Sequence, residues 1–120
     1  QAGLIFGHRS VQADATNVYW ANGSLQSAMF TGADHAGKIV AQPIDGSAIV
    51  AFAIDSTAKT AYIATYEPTT MDHNLEKSAF DKADAEAIWM ARGLDKVSSI
   101  VLDDASVYLA SACKILKSAR

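Results

Sequence analysis

The chain has 120 residues, half of them apolar and 19% charged, with only seven Gly and two Pro. This composition is typical of one globular domain, here residues 1–120, and it excludes the disordered, collagen-like and coiled-coil classes. The formal net charge of −3 disfavours strong, general nucleic-acid binding, because proteins that rely on phosphate contacts usually carry a basic stripe.

The first half of the chain predicts β-strands. Short apolar segments alternate with turn signals such as Asn22-Gly23 and Asp45-Gly46. The strongest strand signals are residues 48–54 and 60–66, and the short polar segment 55–59 between them predicts a hairpin. No internal repeat is evident by inspection. The other predicted strands are residues 3–6, 18–20, 27–31 and 38–41.

The second half predicts two helices around one strand. From Asp72 or Asn74 onward the apolar spacing changes from about 2 to about 3.6 residues, which predicts a helix ending near Gly93. Residues 98–102 then form a short apolar strand, and residues 106–118 predict a second helix. This order of elements predicts an α/β fold, a mixed sheet with antiparallel first strands followed by helix–strand–helix with parallel pairing.

Acidic side chains fall at positions where this fold would bring them together. Asp34 follows a predicted strand, Glu76 lies on the apolar stripe of the first predicted helix, and Asp103 and Asp104 end the strand 98–102. If the first and last strands are neighbours, these carboxylates converge at one end of the sheet. Two carboxylates about 4 Å apart repel by roughly 4 kcal/mol at an effective dielectric of about 20, so such a cluster needs a cation or a shifted protonation state.

Mg²⁺ is the cation that suits such a cluster, because it binds a few carboxylates and keeps several waters. A purely structural interpretation is also open. Asp34 then caps a turn, Glu76 is a first-turn acid favoured by the helix dipole, and Asp103 and Asp104 begin a solvated loop.

Three segments are similar to the ribonuclease H domain of copia-type retrotransposons. Residues 76–94 resemble the family's first helix, which a catalytic Glu opens and a Glu-Ala-(Ile/Leu)-Trp-Leu stretch follows; Glu76 and Glu86 keep the family's ten-residue separation. Residues 100–106 resemble the strand that ends in a catalytic aspartate, here Asp103. Residues 31–37 resemble the acidic run at the end of the family's first strand.

The resemblance implies a ribonuclease H-like fold and Mg²⁺-dependent hydrolysis of RNA in RNA–DNA hybrids. Asp34, Glu76 and Asp103 would be the catalytic metal ligands, with Asp104 as a further ligand. The family's first catalytic aspartate falls on Gly32, however, and its last one has no counterpart after the second predicted helix. We therefore expect a degenerate, domesticated copy that keeps the scaffold and acts by binding a protein or a nucleic acid.

Three classes of function are open on these grounds. An active nuclease requires a divalent metal and the carboxylate of Glu76. A nucleic-acid-binding module requires salt-sensitive affinity for an RNA–DNA hybrid or a duplex. A protein-interaction module requires a partner, or self-association, through apolar surface near Trp20 or Trp89. The net charge and the incomplete acid set favour the third class over the second.

The sequence predicts an intracellular protein, cytoplasmic or nuclear, without a membrane partner. Its longest apolar run, residues 48–54, is far shorter than the roughly 20 residues that span a bilayer. No N-terminal stretch has the layout of a signal peptide. Cys113 is the single cysteine, so no internal disulfide is expected.

Overall fold

The computed structural model describes residues 11–29, 37–80 and 87–120. These residues form eleven strands in three antiparallel sheets, with one short 3-10 turn at Ile44–Gly46, and each sheet follows chain order. The first sheet contains β1 (Gln12–Ala13), β2 (Asn17–Asn22), β3 (Ser24–Met29) and β4 (Lys38–Ala41). The second contains β5 (Ala48–Asp55), β6 (Thr60–Glu67), β7 (Asp72–Ala79) and β8 (Ile88–Leu94). The third contains β9 (Val97–Leu102), β10 (Ser106–Ser111) and β11 (Lys114–Ala119).

The predicted α/β, ribonuclease H-like fold is wrong, because the two predicted helices are strands. Residues 72–79 form β7 and residues 88–93 belong to β8, while residues 106–118 lie in the β10–β11 hairpin. All strand pairs in the described residues are antiparallel, so the expected parallel crossover is wrong as well.

Burial of polar side chains explains why β7 was not predicted as a strand. Asn74 and Glu76 are 2% and 0% exposed, although both are polar, and Leu75 between them is also fully buried. A strand enclosed on both faces has no solvent row to alternate with its core row. The apolar residues therefore lose their period of two, and the alanine-rich segment that follows suggested a helix.

The turns explain which hairpins were predicted. Asn22-Gly23 was correctly predicted to join two strands, and Gly23 adopts a φ of 77° between β2 and β3. The β5–β6 hairpin is confirmed too. The β10–β11 turn instead uses Ala112, at a φ of 53°, followed by Cys113. Because neither residue is a usual turn signal, residues 106–118 gave no indication of a break.

The second sheet lies between the other two and packs on both faces. The core toward the first sheet consists of Tyr19, Leu25, Ala41, Phe52, Ala61 and Ile63. The core toward the third sheet consists of Ala51, Ala53, Tyr62, Ala64, Leu75, Val97, Ile100, Val107 and Leu109. The first strand of each sheet lies close to its neighbour: β9 contacts β5, and the Gln12 side chain of β1 hydrogen-bonds with the backbone of β5.

A short sequence repeat marks the second strand of each sheet. Its members are Tyr19 with Ala21, Tyr62 with Ala64, and Tyr108 with Ala110, and each tyrosine is the third residue of its strand. The tyrosines are 43 and 46 residues apart, close to the spacing of about 40–45 residues between four-stranded propeller blades. This repeat fixes only two residues per sheet, so it becomes visible only once the strands are known.

Candidate functional site

Three acidic turns follow the first strands of the three sheets. Asp14 comes directly after β1, Asp55 is the last residue of β5, and Asp103 comes directly after β9. The turns lie at the same end of the stack, because Gln12 contacts the backbone beside Asp55, and the second and third turns line one cleft. This turn end of the molecule contains two of the predicted site residues, Asp103 and Asp104.

Asp14 and Asp103 hold their turns by the same set of hydrogen bonds. Oδ1 of Asp14 accepts from the backbone N–H groups of Thr16 and Asn17, at 2.9 and 2.8 Å. Its Oδ2 accepts from the Tyr19 hydroxyl at 2.8 Å. These bonds stabilise the ionised form, so they lower the pKa of Asp14, the backbone N–H of Thr16 having the largest effect.

Asp103 repeats this geometry in the third sheet. Its Oδ1 accepts from the N–H groups of Ala105 and Ser106, at 2.9 and 2.7 Å, and its Oδ2 accepts from the Tyr108 hydroxyl at 2.6 Å. The hydrogen bond from Tyr108, followed by the one from Ala105, lowers the pKa of the Asp103 carboxyl. Asp103 is therefore an ionised residue that holds its turn: Oδ1 accepts from two backbone N–H groups, and Oδ2 accepts from a tyrosine of the next strand, β10.

In the second sheet, an arginine stabilises the equivalent turn. Its turn has four residues between Asp55 and β6, whereas the other two turns have two residues between the aspartate and the next strand. Arg120 bridges the longer gap: its Nε donates to the Tyr62 hydroxyl at 3.3 Å, and its guanidinium pairs with the Asp55 carboxylate. Its Nη1 also donates to the carbonyl of Asp103, at 2.7 Å, which ties the second turn to the third.

An open cleft of about 550 Å³ lies between these two turns. Asp55, Asp103, Asp104 and Arg120 line it, together with Ile54, Ser56, Thr57 and Leu102. Asp104 is exposed in the turn. Arg120 thus lines the cleft together with three aspartates, and its guanidinium is paired with the carboxylate of one of them, Asp55.

Glu76 lies elsewhere, in the interior of the second sheet. Its side chain is fully buried on β7 and points toward the first sheet, since it pairs across the ladder with Ile63. Oε1 accepts from the N–H of Ile44 at 3.0 Å, and Oε2 accepts from the Thr65 hydroxyl at 3.3 Å. Burial raises the pKa of Glu76, against the lowering effect of these two bonds, and the nearby charge of Asp45 raises it further.

The structure does not assemble the predicted acids into one group. Asp103 and Asp104 share the cleft, Glu76 binds the Ile44–Gly46 turn and Thr65, and Asp34 lies outside the described residues. In residues 11–29, 37–80 and 87–120, no three His, Cys, Asp or Glu side chains are grouped closely enough to hold a metal ion. The predicted Mg²⁺ site gains no support from this arrangement.

The residues that sequence reasoning missed are the tyrosines and the arginine of the turn end. Tyr19 and Tyr108 recur five residues after Asp14 and Asp103, so a search for that spacing finds both turns. Arg120 follows no such spacing, since it acts across two sheets. His73 is another unpredicted link between sheets: its Nδ1 accepts from the N–H of Val97 at 3.2 Å.

No protein-family model matches the chain, and no curated protein matches it either. The resemblance to copia-type ribonuclease H domains therefore stays a prediction. In the part of the chain that the structure describes, no helix has the length and apolar character needed to cross a membrane.

Proposed function

We propose that this chain is a non-catalytic interaction module, built as consecutive blades of the β-propeller type, that binds protein through the sheet faces that the described residues leave uncovered. Up-and-down antiparallel sheets that are repeated along the chain, with their first strands next to one another, are the building plan of propellers. The repeat of Tyr-x-Ala on the second strand of each sheet supports this plan.

The observation that carries the proposal is the outer face of the third sheet, defined by Val101, Tyr108, Ala110 and Ile115. Val101 and Ile115 are 62% and 68% exposed. The strand register places Val101 beside Tyr108 and Ile115 beside Ala110, so these four side chains adjoin one another on one face. Lys117 lies on the other side of Tyr108 on the same face, with its ammonium 5.7 Å from the centre of the Tyr108 ring. Exposed apolar surface on a β-sheet commonly marks a protein-binding site.

The local chemistry of the acids also favours binding over catalysis. Asp14 and Asp103 hold turns, and Glu76 is buried with both oxygens hydrogen-bonded. A metal-dependent nuclease needs carboxylate oxygens that are free to coordinate metal and near one another. Of the described carboxylates that sequence analysis singled out, Glu76 and Asp103 have other partners, and Asp104 lies exposed in its turn.

The first experiment separates the three classes of function. A labelled RNA–DNA hybrid is incubated with the chain in the presence of Mg²⁺ or Mn²⁺, and cleavage is measured. Binding of the same hybrid is measured at several salt concentrations. We expect neither cleavage nor salt-sensitive binding. Cleavage that Glu76→Gln and Asp103→Asn abolish would overturn the proposal in favour of a nuclease, and salt-sensitive binding without cleavage would overturn it in favour of a nucleic-acid-binding module.

A second measurement tests the face itself. At low protein concentration, the apolar dye anilinonaphthalene sulfonate should bind the folded chain, and the double variant Val101→Lys/Ile115→Lys should lose most of that binding. Met71→Lys is the matched control, because Met71 is 73% exposed but lies in the β6–β7 turn. Equal dye binding by the native chain and the double variant would contradict the assignment of this face.

A further inference from the structure

The two buried interfaces of the stack use the same positions of the repeat. Tyr19 is 2% exposed and packs, together with Ala21, against the second sheet. Tyr62 and Ala64 are 3% and 0% exposed and pack against the third sheet. In both cases the Tyr-x-Ala side of one sheet contacts the next sheet along the chain.

The opposite side of each repeat supplies the complementary surface. The residues before and after Tyr62 are Ala61 and Ile63, which are fully buried against the first sheet. The equivalent residues of the third sheet, Val107 and Leu109, are 0% and 3% exposed and pack against the second sheet. Each interface therefore joins a Tyr-x-Ala side to the flanking-residue side of the following sheet.

Two sheet faces, one of each kind, have no neighbouring sheet in the described stack. One is the outer face of the third sheet, which carries Tyr108 and Ala110. The other is the outer face of the first sheet, defined by Val18, Trp20 and Ile39; Val18 and Trp20 are half-buried and Ile39 is 53% exposed. The outer face of the third sheet is a Tyr-x-Ala side, and the outer face of the first sheet is a flanking-residue side. The two faces are therefore complementary in the same way as the faces that already pack inside the stack.

We propose that a second copy of this chain covers both faces, with the third sheet of each copy packed on the first sheet of the other. The contact continues the interfaces that already join the sheets within one copy. This inference rests on the proposed function and names its partner. A head-to-tail contact of this kind either closes into a ring or extends into a filament.

A closed pair covers both faces of each copy at once. The third sheet of each copy packs on the first sheet of the other, so each copy gains two equivalent contacts, whereas an open filament leaves one face uncovered at each of its ends. The six sheets that two copies supply in their described residues fall within the range of about four to eight sheets around a propeller axis.

Sedimentation velocity on the full chain tests this inference. We expect a species of twice the 12.7 kDa monomer mass, and no larger multiples, at high protein concentration. Val101→Lys, on the third sheet, and Ile39→Lys, on the first sheet, should each raise the dimer dissociation constant at least tenfold. Met71→Lys should leave it unchanged. Near-ultraviolet circular dichroism checks that all three variants remain folded.

Mixing the two variants distinguishes a head-to-tail contact from a symmetric one. In an equimolar mixture, the native third-sheet face of the Ile39→Lys copy can pack on the native first-sheet face of the Val101→Lys copy. One intact contact per pair should therefore restore part of the dimer. A dimer that Ile39→Lys leaves intact, or a mixture that gains nothing, would overturn the head-to-tail arrangement.

A native chain that stays monomeric at every concentration would overturn the second copy as the partner. If that monomer still shows dye binding that depends on Val101 and Ile115, the interaction module survives and only its partner is wrong. A monomer whose dye binding does not depend on Val101 and Ile115 would overturn the proposed function together with the inference.

Discussion

Glu76 places an ionisable side chain where water does not reach it. In the unfolded chain its carboxyl titrates near the ordinary value of 4.5, whereas burial raises its pKa in the folded protein. The folded state therefore binds the proton more tightly than the unfolded state. Stability contributed by the protonated form is present below the unfolded pKa and is lost as pH rises through the folded pKa.

Glu76→Gln should remove this loss of stability at higher pH. The amide keeps an oxygen that accepts from the N–H of Ile44 and presents an NH₂ group to the Thr65 hydroxyl, without a charge to bury. We expect the variant to be more stable than the native chain near pH 8 and to differ little from it near pH 4. Urea unfolding at a series of pH values measures the difference.

Glu67→Gln is the control for this measurement. Glu67 is half-buried, and the pKa of its carboxyl is lowered, chiefly by the backbone N–H of Thr69, so its contribution to stability has the opposite sign. Parallel pH profiles for the native chain and Glu76→Gln would show that burial does not perturb Glu76.

At the scale of the element, the Asp–Tyr turn joins the first strand of a sheet to its second strand. The Tyr19 ring is buried in the core toward the first sheet, while its hydroxyl reaches back to the Asp14 carboxylate at 2.8 Å. Burial of the phenol, followed by this hydrogen bond, raises the pKa of Tyr19 to about 12. One side chain therefore fixes both the packing of β2 and the conformation of the turn before it.

Tyr19→Phe separates these two roles, because the ring stays while the hydrogen bond is lost. We expect a loss of about 1 kcal/mol in the free energy of unfolding, the usual net value of one hydrogen bond. Tyr66→Phe is the matched control, since the Tyr66 hydroxyl makes no hydrogen bond within the described residues and its ring contacts His73. Equal losses for the two variants would mean that the bond to Asp14 contributes nothing.

The outcomes of the strand predictions also belong to this scale. β5 and β6 were predicted because their apolar residues are β-branched or aromatic and a polar turn separates them. β10 and β11 were predicted as one helix because Ala112 and Cys113 between them give no turn signal. β7 was predicted as part of a helix because Asn74 and Glu76 occupy interior positions. The end of β9 at Asp103 was predicted correctly, yet the partners of Asp103 depend on a tyrosine in the following strand.

At the scale of the whole molecule, Arg120 connects parts that are distant in sequence. Its guanidinium reaches Asp55 and Tyr62 in the second sheet and the carbonyl of Asp103 in the third. No local pattern predicts such a residue, because its partners become neighbours only after the sheets have stacked. For the same reason, the cleft at the turn end could not be predicted from the sequence.

Arg120→Met should weaken this connection while keeping the aliphatic length of the side chain. We expect a loss of about 2 kcal/mol in the free energy of unfolding, the scale of a hydrogen-bonded, partly buried charge. Arg120→Lys should recover little of it, since an ammonium group lacks the planar fork that serves several acceptors. Lys114→Met, at an exposed position on β11, is the control for loss of one positive charge. Native-like stability of Arg120→Met would show that the stack does not need this bridge.

Because the second sheet packs between two neighbours, its residues should tolerate substitution less well than those of the outer sheets. Within the described residues, the first and third sheets each keep one face without a neighbouring sheet, and residues there can change size without disturbing a core. In β6 the five residues from Ala61 to Thr65 are all buried, and Ala61 and Ala64 are fully enclosed on opposite faces. Larger side chains at either alanine must separate the sheets, at a typical cost of about 1–3 kcal/mol. Variation among natural versions of this chain should therefore be lowest in its middle sheet and highest at its two ends.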